Sequence, residues 1–323
     1  MQLLQWLEDK EQDFGHSKPK GTYKIEFENG EKYLFEIIVD TLKRANKEYE
    51  VVLPWYIMTS KENNKDTIDF LDKMNYFNYP KEYVFIFEQG ELPLIDEQGK
   101  VLIGEDGCIK EASNGNGGIF SSMAQNGVIQ DMESKGIEWV FIGSVDNILL
   151  KYVDTLLIGL TVSEKNQIGT RTVLKNSPEE KVGVLCKQNG KVKVIEYTEL
   201  PKDIASIKKE NGELVFGESH IMCNLFNIEA IKKASTKEMQ YHIAFKKSNY
   251  LDENGNIVKP DKENAYKFEQ FIFDSFKLFD NISILRGERQ NDFAPVKSTT
   301  GTDTPETAKK LYENYWKKNS FMI

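Results

Sequence analysis

The segment Trp139-Val-Phe-Ile-Gly-Ser-Val-Asp-Asn147 places a nearly continuous apolar run directly before an acidic and an amide side chain. Similar apolar runs occupy residues 51–58 and 83–87. Such runs are typical of strands that are covered on both faces. Helical patterns alternate with them, at residues 33–45, 65–75 and 119–135. This alternation predicts an α/β fold with a mostly parallel sheet and helices on both faces.

The second half of the chain has a different texture. Short strand-like runs between residues 182 and 229 are separated by Gly-containing turns, which predicts an antiparallel β insertion beside the main sheet. From about residue 286 a small C-terminal segment follows. Thr304-Pro305-Glu306 is a good helix start, so we expect a terminal helix that ends near Lys318.

The composition describes a globular protein without a large basic surface. Of 323 residues, 40% are apolar, and 42 Lys and Arg stand against 51 Asp and Glu, which gives a formal net charge of −9. Nucleic acids and anionic membranes are held mainly by clustered cations, so we expect neither as a partner. The most apolar segment, 155–162, is far shorter than the roughly 20 residues that span a bilayer.

The N-terminus and the cysteines favour a cytoplasmic protein. Residues 1–10 have no cationic start and no long apolar stretch, so they do not form a signal peptide. Cys108, Cys186 and Cys223 are far apart and odd in number, which fits a reducing compartment better than a disulfide framework or a CxxC metal pair. The sequence leaves the oligomeric state open.

Three loops carry residues that suit chemistry, and each has a second interpretation. Ser113-Asn-Gly-Asn-Gly-Gly118 leads into a predicted helix, so its N–H groups can meet a ligand, or it is a flexible turn. Asp146 and Asn147 end a strand and suit Mg²⁺, or they cap the following turn. Lys20 lies between Pro19 and Gly21 and points at a phosphate, or it is simply solvated.

Together and in this order, these segments and others resemble the eukaryotic-type UDP-sugar pyrophosphorylase family, and within it the UDP-N-acetylglucosamine pyrophosphorylases. The resemblance covers nearly the whole chain from Gly15 onwards. So many ordered matches are more specific than any single motif. The matching segments are Pro19-Lys20-Gly21, Pro54–Ser60, Gln89-Gly90, Leu92-Pro93, Asn114–Gly118, Val145–Asn147, Val182–Val184, Val194–Tyr197, Asn224–Phe226, Glu269–Asp274, Phe293–Lys297 and Thr302–Pro305.

The resemblance implies a Rossmann-like domain of the nucleotidyltransferase type. We expect this domain at residues 15–285, with a β-rich sugar-binding insertion at 182–229. An atypical N-terminal segment, 1–14, would precede it, and a C-terminal segment with the terminal helix, 286–323, would follow.

The resemblance also implies an activity. Members of this family form UDP-N-acetylglucosamine and pyrophosphate when the phosphate of N-acetylglucosamine 1-phosphate attacks the α-phosphorus of UTP. A sugar phosphate is already an anionic nucleophile near neutral pH, so the reaction needs alignment and charge stabilisation rather than a general base. Mg²⁺ is the expected cofactor, with Asp146 as its ligand, and UTP and the sugar phosphate are the expected partners.

Roles for individual residues follow from the resemblance. Lys20 would contact the UTP phosphates, and Lys297 the sugar phosphate; with Asp146 they make up the expected catalytic set. The residues expected to bind UTP and uracil are Gly15, Lys20, Gln89 and Gly115. Those expected to surround the sugar and its N-acetyl group are Asn116, Gly183, Glu196, Asn224, Phe271 and Phe273.

The N-terminus departs from the family pattern. Lys10-Glu-Gln-Asp-Phe-Gly15 stands where the family has Gly-Gly-x-Gly-Thr-Arg-Leu-Gly, and only Gly15 fits. Asp13 near the expected Arg would repel phosphates. The family's central first strand, and the helical region before it, are expected to have no counterpart.

Three functions therefore stay open. The chain is part of an active enzyme whose N-terminal region is missing, or a family member that binds sugar nucleotides without turnover, or a relative that uses glucose 1-phosphate instead. His220 and His242 have no metal-ligand spacing and are expected to be structural, as are Trp55 and Tyr56.

Overall fold

The computed structural model of the protein describes the backbone of residues 2–6, together with residues 16 and 18–319. Its main element is a nine-stranded sheet, with four two-stranded ribbons beside it. The strands are β1 (Gln2–Trp6), β2 (Lys24–Phe27), β3 (Gly30–Tyr33), β4 (Trp55–Thr59), β5 (Val84–Glu88), β6 (Glu91–Pro93), β7 (Glu111–Ser113), β8 (Trp139–Ser144), β9 (Ile168–Leu174), β10 (Val184–Gln188), β11 (Lys191–Ile195), β12 (Glu218–Asn227), β13 (His242–Lys246), β14 (Tyr250–Leu251), β15 (Ile257–Val258), β16 (Ala265–Glu269) and β17 (Ser283–Arg286). The helices are α1 (Leu34–Tyr49), α2 (Lys61–Lys73), α3 (Ile119–Gln125), α4 (Val128–Ser134), α5 (Thr155–Ser163), α6 (Lys202–Ala205), α7 (Ile228–Ser235), α8 (Arg289–Asp292) and α9 (Pro305–Asn319).

The sheet is mixed rather than mostly parallel. Its strand order is β11-β10-β12-β8-β1-β4-β5, and β9 and β17 extend it from β12. Strands β8, β1, β4 and β5 are parallel neighbours, and so are β9 and β17. Strand β12 is antiparallel to β8, β9 and β10, and β10 is antiparallel to β11. The prediction of a parallel sheet therefore holds for one half of the sheet only.

The N-terminal residues contribute a central strand. Strand β1 lies between β4 and β8 and is parallel to both, with Leu3 opposite Trp55 and Phe141. The expectation that the first central strand has no counterpart is therefore wrong. Five residues are too few to show the apolar pattern of a buried strand clearly, which is why the sequence pattern missed it.

Helices cover both faces of the sheet, as predicted. Successive residues of a strand point to opposite faces, and β4 shows this directly. Trp55 and Ile57 pack with α1, whereas Tyr56 and Met58 pack with α3, α4 and α7. All five residues of β4 are buried for this reason. Among the described residues no helix is both long enough and apolar enough to cross a membrane.

Two predicted elements differ from the structure. The helix predicted at 119–135 is two short helices, α3 and α4, because Gly127 between them has a φ of +72° that breaks the helical path. The strands of the predicted insertion at 182–229 are antiparallel, but they continue the main sheet through β12 instead of lying beside it.

A buried ionic network holds the start of the C-terminal segment against the sheet. Arg171 of β9 lies 2.5 Å from Asp154, which caps α5, and 3.3 Å from Asp292 of α8. Lys151 pairs with Asp292 at 2.8 Å. The side chains of Arg171, Asp154 and Asp292 are 7%, 4% and 3% exposed. Charges so far from water need partners, so this network ties α8 to β9.

Replacing Arg171 by Met should lower the free energy of unfolding by about 3–5 kcal/mol, because it leaves two buried carboxylates without their shared cation. Urea denaturation followed by tryptophan fluorescence measures this. The control is Arg286→Met, since Arg286 pairs with Glu218 but is 46% exposed, and its loss should cost at most about 1 kcal/mol. Equal losses for the two variants would contradict the structural role of the network.

Candidate functional site

The carboxyl end of β8 carries a buried acidic side chain. Asp146 lies two residues beyond the strand and is 5% exposed. The Ser144 hydroxyl donates a hydrogen bond to its carboxylate. Tyr152 donates to the Ser144 carbonyl at 3.0 Å, and its pKa is raised, first by burial and then by the charge of Asp146. The carboxylate is therefore fixed at the edge where parallel strands present their ligand sites.

Asn147 brings a distant part of the chain to this edge. Its side-chain nitrogen donates to the Asp292 carbonyl at 2.9 Å, and its oxygen accepts from the Ala294 N–H at 2.8 Å. The Val296 N–H then donates to the Asp146 carbonyl at 3.0 Å. Lys297, the next residue, thus follows a segment that is hydrogen-bonded to the Asp146 backbone.

Lys297 lies among carboxylates. Its backbone N–H donates to the Asp303 carbonyl at 2.8 Å. Burial raises the pKa of Asp303, Lys297 opposes this rise, and the charge of Asp146 adds to it. Burial likewise raises the pKa of Glu196, and Lys297 opposes that rise as well. The structure therefore gathers Asp146, Glu196 and Lys297, all three predicted from the sequence, and adds Asp303.

Asp146 and Asp303 supply two carboxylates of the type that suits Mg²⁺. This ion takes one or two carboxylates and leaves its other positions to water and phosphate oxygens. After burial, the charges of Glu180 and then Asp146 also raise the pKa of Asp303, and a bound cation would relieve such repulsion. Within the described part of the chain, no group of three or more His, Cys, Asp or Glu side chains forms a complete metal cage. The chemistry of the two carboxylates thus fits an ion that is completed by substrate.

Lys20 is buried in a tight turn. It begins the 3-10 turn Lys20–Thr22, which packs against α1 and α2, and it is 6% exposed. Gly21 is required here, because a Cβ at this position would lie 2.3 Å from the Phe35 ring. The Phe35 ring in turn packs against Trp55, the first residue of β4, and Phe70 of α2. Gly15, expected to bind UTP, and Asp13 lie outside the described residues.

Gln89, the residue directly after β5, has an unsatisfied side-chain amide. Its side chain is buried, 5% exposed, and neither its nitrogen nor its oxygen has a hydrogen-bond partner within residues 18–319. Its backbone N–H donates to the Thr59 carbonyl at 2.8 Å, which fixes the residue at the end of β4. A buried amide without partners is costly unless a ligand completes it.

Residues 113–118, here called the glycine loop, begin at the end of β7. Hydrogen bonds with the segment after β16 hold this loop in place. Gly115 has a φ of +80°, and a Cβ there would lie 2.5 Å from the Gln270 carbonyl oxygen. The Gly117 N–H donates to that same carbonyl at 2.7 Å. The Asn116 side-chain oxygen accepts from the Ile272 N–H at 2.8 Å. Glycine at 115 is thus required by the close approach of two backbones.

Three of the residues expected at the sugar, Gly183, Glu196 and Asn224, lie on β12 and beside β10 and β11. A Cβ on Gly183 would lie 3.0 Å from Glu196 Oε1, so the missing side chain leaves room for that carboxylate. Asn224 is fully buried on β12, and its side-chain nitrogen has no partner among the described residues. The Thr170 hydroxyl lies 2.9 Å from its side-chain oxygen.

An aromatic pair adjoins a histidine that lies between two carboxylates. The rings of Phe271 and Phe273 stack with 5.1 Å between centroids, and His242 lies 4.7 Å from Phe271. His242 bridges Asp274 and Glu199, each at 2.8 Å. The hydrogen bond that His242 donates to Asp274 raises the pKa of His242; burial opposes this rise, and Glu199 adds to it.

Two residues that the sequence does not assign to the site lie next to residues that it does. Asp303 stands in a matching segment shortly after Lys297, and its carbonyl accepts the Lys297 N–H. His242, expected from the sequence to be structural, lies against Phe271 through a tertiary contact that no local pattern contains.

The chain resembles known proteins over most of its length. A sequence model of the family described as UTP–glucose-1-phosphate uridylyltransferase matches residues 10–309. The human UDP-N-acetylhexosamine pyrophosphorylase-like protein 1 is 33% identical over 308 residues, which are 92% of this chain and 60% of that protein. The UDP-N-acetylglucosamine pyrophosphorylase of Saccharomyces cerevisiae is 34% identical over 310 residues, 92% of this chain and 65% of that protein.

A solved structure agrees with these matches. It is that of a candidate UDP-N-acetylglucosamine pyrophosphorylase from Entamoeba histolytica, with a TM-score of 0.88, 32% sequence identity, and coverage of 98% of this chain and 82% of that chain. This chain spans 60% and 65% of the length of the human and yeast relatives. The resemblance seen in the sequence is thus confirmed, and the chain belongs to the UTP–glucose-1-phosphate uridylyltransferase family.

Proposed function

We propose that this chain transfers uridylate from UTP to N-acetylglucosamine 1-phosphate, which forms UDP-N-acetylglucosamine and releases pyrophosphate. The observation that carries the proposal is the hydrogen bond from the Val296 N–H to the Asp146 carbonyl, which brings the segment that contains Lys297 to the carboxyl end of β8. Asp146 is an anion that can hold a metal, and Lys297 is a cation that can hold a phosphate. Relatives named UDP-N-acetylglucosamine pyrophosphorylase support this choice of reaction.

The two lysines would divide the phosphates between them. Lys297 would hold the phosphate of the sugar, and Lys20 would hold the UTP phosphates near the pyrophosphate that leaves. An oxygen of the sugar phosphate forms the new bond to the α-phosphorus while the bond to pyrophosphate breaks. Because the nucleophile is already an anion, these side chains need only align the phosphates and offset their charge.

We propose Mg²⁺ as the cofactor, held by Asp146 and Asp303. When bound, it would neutralise charge on the phosphate oxygens. The carboxylates themselves would orient the ion, and Ser144 would keep the carboxylate of Asp146 in one position.

Uracil would bind at Gln89 and the Gly115 backbone. An amide side chain offers one acceptor and two donors, which match the donor and the acceptors on the edge of the base. The unpaired amide of Gln89 supports this placement.

The sugar would bind between β10, β12 and the aromatic pair, with Phe271 and Phe273 against the N-acetyl group. Glucose 1-phosphate is a less supported substrate, because the UDP-glucose pyrophosphorylase of Leishmania major shares only 15% identity with this chain and shows the common fold alone.

A catalytically silent sugar-nucleotide binder is the second candidate function. It is favoured by Lys10–Gly15, whose Asp13 stands where the family pattern has an Arg. Such a binder would bind UDP-N-acetylglucosamine without turnover.

We also propose a reducing, cytoplasmic location. Its support is that all three cysteines are unpaired, and that Cys223 is buried.

Replacing Asp146 by Asn, or Lys297 by Met, should lower kcat by about 10²–10³-fold, since each removes charge stabilisation at the reacting phosphates. A coupled assay of pyrophosphate release with UTP, Mg²⁺ and N-acetylglucosamine 1-phosphate measures this. Asp69→Asn, on the exposed side of α2, is the control and should retain wild-type activity. Wild-type turnover at background level, unaltered in Asp146→Asn, would reject the enzyme and favour the binder.

Replacing Gln89 by Ala should raise the KM for UTP roughly tenfold, because the uracil loses a hydrogen-bonding amide in a dry site. The KM for the sugar phosphate should stay constant, which separates base recognition from a general loss of structure. Gln98→Ala, in an exposed turn, is the matched control. A Gln89→Ala variant with wild-type KM for UTP would remove Gln89 from the uracil site.

The wild-type protein should prefer N-acetylglucosamine 1-phosphate over glucose 1-phosphate by at least about tenfold in kcat/KM. Phe271 and Phe273 would contact the acetyl group, which glucose 1-phosphate lacks. Phe273→Ala should reduce this ratio. Steady-state kinetics with both sugar phosphates measure the two kcat/KM values. A ratio of these values near one would instead support glucose 1-phosphate as a substrate.

A further inference from the structure

Strand β12 contains an unusual bulge. Its residue His220 pairs with Thr172 of β9, and Cys223 pairs with the very next residue of β9, Arg171. Two residues of β12 therefore have no counterpart on β9. One of them, Met222, has a φ of +52°, a left-handed conformation that costs free energy for a side chain of this kind. Bulges of this sort re-aim side chains and are frequent beside active sites.

The bulge brings two polar side chains together. In a regular strand, residues four apart are separated by about 13 Å, from a rise of about 3.3 Å per residue. Here His220 Nε2 lies 2.9 Å from Asn224 Oδ1. Gly143 of β8 makes room for the bulge, because a Cβ there would lie 3.2 Å from the Met222 carbonyl oxygen. The contact between His220 and Asn224 thus exists only because the strand is distorted.

Hydrogen bonds to its side-chain oxygen fix the orientation of the Asn224 amide. Its oxygen lies 2.9 Å from both the Thr170 hydroxyl and His220 Nε2. Its nitrogen is fully buried and makes no hydrogen bond within residues 18–319. With the oxygen engaged by two groups, the amide offers a ligand its N–H₂ group alone.

His220 is suited to this task because it stays neutral. It is buried, and burial lowers its pKa to about 4, so that at pH 7 the ring carries one N–H proton. Since Asn224 Oδ1 accepts, that proton lies on Nε2. The ring also meets Phe273 at 5.6 Å and Phe276 at 5.9 Å, both edge to face. Met222, in the bulge, places its sulfur 4.0 Å from the Asn116 side-chain nitrogen.

We propose that His220 is a positioning residue for the sugar: together with Thr170 it holds the Asn224 amide so that its N–H₂ group donates to an acceptor oxygen of the sugar. The proposal rests on the proposed function, because it assigns the ligand of Asn224 as the sugar of the transfer reaction. On this proposal the bulge serves to orient the Asn224 amide toward the sugar. Neither the packing of the core nor the binding of the phosphates requires such a bulge.

Two substitutions at His220 separate positioning from packing. His220→Phe keeps the ring contacts with Phe273 and Phe276 but has no donor, whereas His220→Gln keeps a donor but has no ring. Positioning predicts that the Phe variant raises the KM for the sugar phosphate about tenfold, with kcat and the KM for UTP within about twofold of wild type. The Gln variant should then stay within about threefold of the wild-type KM. A packing role predicts the reverse order.

Thr170→Val is a second, independent variant, because it removes the hydroxyl at nearly constant volume. Thr170→Val should also raise the KM for the sugar phosphate about tenfold. If a His220 variant does not fold, this variant alone still tests the proposal. Thr161→Val is its matched control: Thr161 is equally buried, but its hydroxyl donates to the Leu157 carbonyl of α5. Its kinetic constants should equal those of the wild type.

The outcomes distinguish the two proposals. If the wild type neither releases pyrophosphate nor binds UDP-N-acetylglucosamine in calorimetry, the proposed function fails and this inference fails with it. If the wild type is active and both His220→Phe and Thr170→Val keep its KM for the sugar phosphate, or if His220→Gln is the more impaired His220 variant, only the positioning role is overturned.

Discussion

The site depends on the hydrogen bonds of one buried amide. Asn147 is 3% exposed, and its side chain binds the Asp292 carbonyl and the Ala294 N–H, while its oxygen also accepts from the Leu149 N–H at 3.2 Å. These bonds join the loop after β8 to a segment from the far end of the chain. Because every polar atom of this side chain is engaged, the arrangement is specific, and it fixes Val296 and hence Lys297 beside Asp146.

The electrostatics of the site follow from this placement. Burial raises the pKa values of Glu196 and Asp303, and Lys297 opposes both rises. Bound phosphates would add further negative charge to these carboxylates, so the site needs cations close by. This explains how a chain with a net charge of −9 can belong to a family that acts on nucleotides. It needs few cations, provided that the fold brings them to one edge of the sheet.

The sequence indicated buried strands and turns better than it indicated the direction of the strands. The run ending at Asp146 was recognisable because a strand covered on both faces is apolar throughout, and the glycine at 115 because backbones approach closely there. Strand direction was not predictable for β12, since an apolar run does not specify whether its neighbours are parallel. The electrostatic influence of Asp146 on Asp303 was also not predictable, because the two residues lie far apart in the sequence. Local sequence patterns thus predicted burial and turns. The pairing of strands and the clustering of charged side chains depend on tertiary structure, which such patterns do not contain.

Buried amides without partners connect stability with function in this fold. Gln89, Asn114 and Asn224 each contain a buried side-chain atom that makes no hydrogen bond within the described residues. Each such group costs roughly 1–3 kcal/mol relative to a satisfied one. Two of the three lie where the base and the sugar are proposed to bind, and Asn114 lies in the glycine loop between them. A ligand that completes these amides recovers free energy that folding alone leaves unused. The strain at Met222 belongs to the same pattern, because it places His220 against Asn224 at the expense of a regular strand. At Gln89, Asn114 and Asn224 the cost of unpaired polar atoms thus falls on residues that a ligand is proposed to complete, whereas at Trp55, Asn63 and Trp316 no such ligand is proposed.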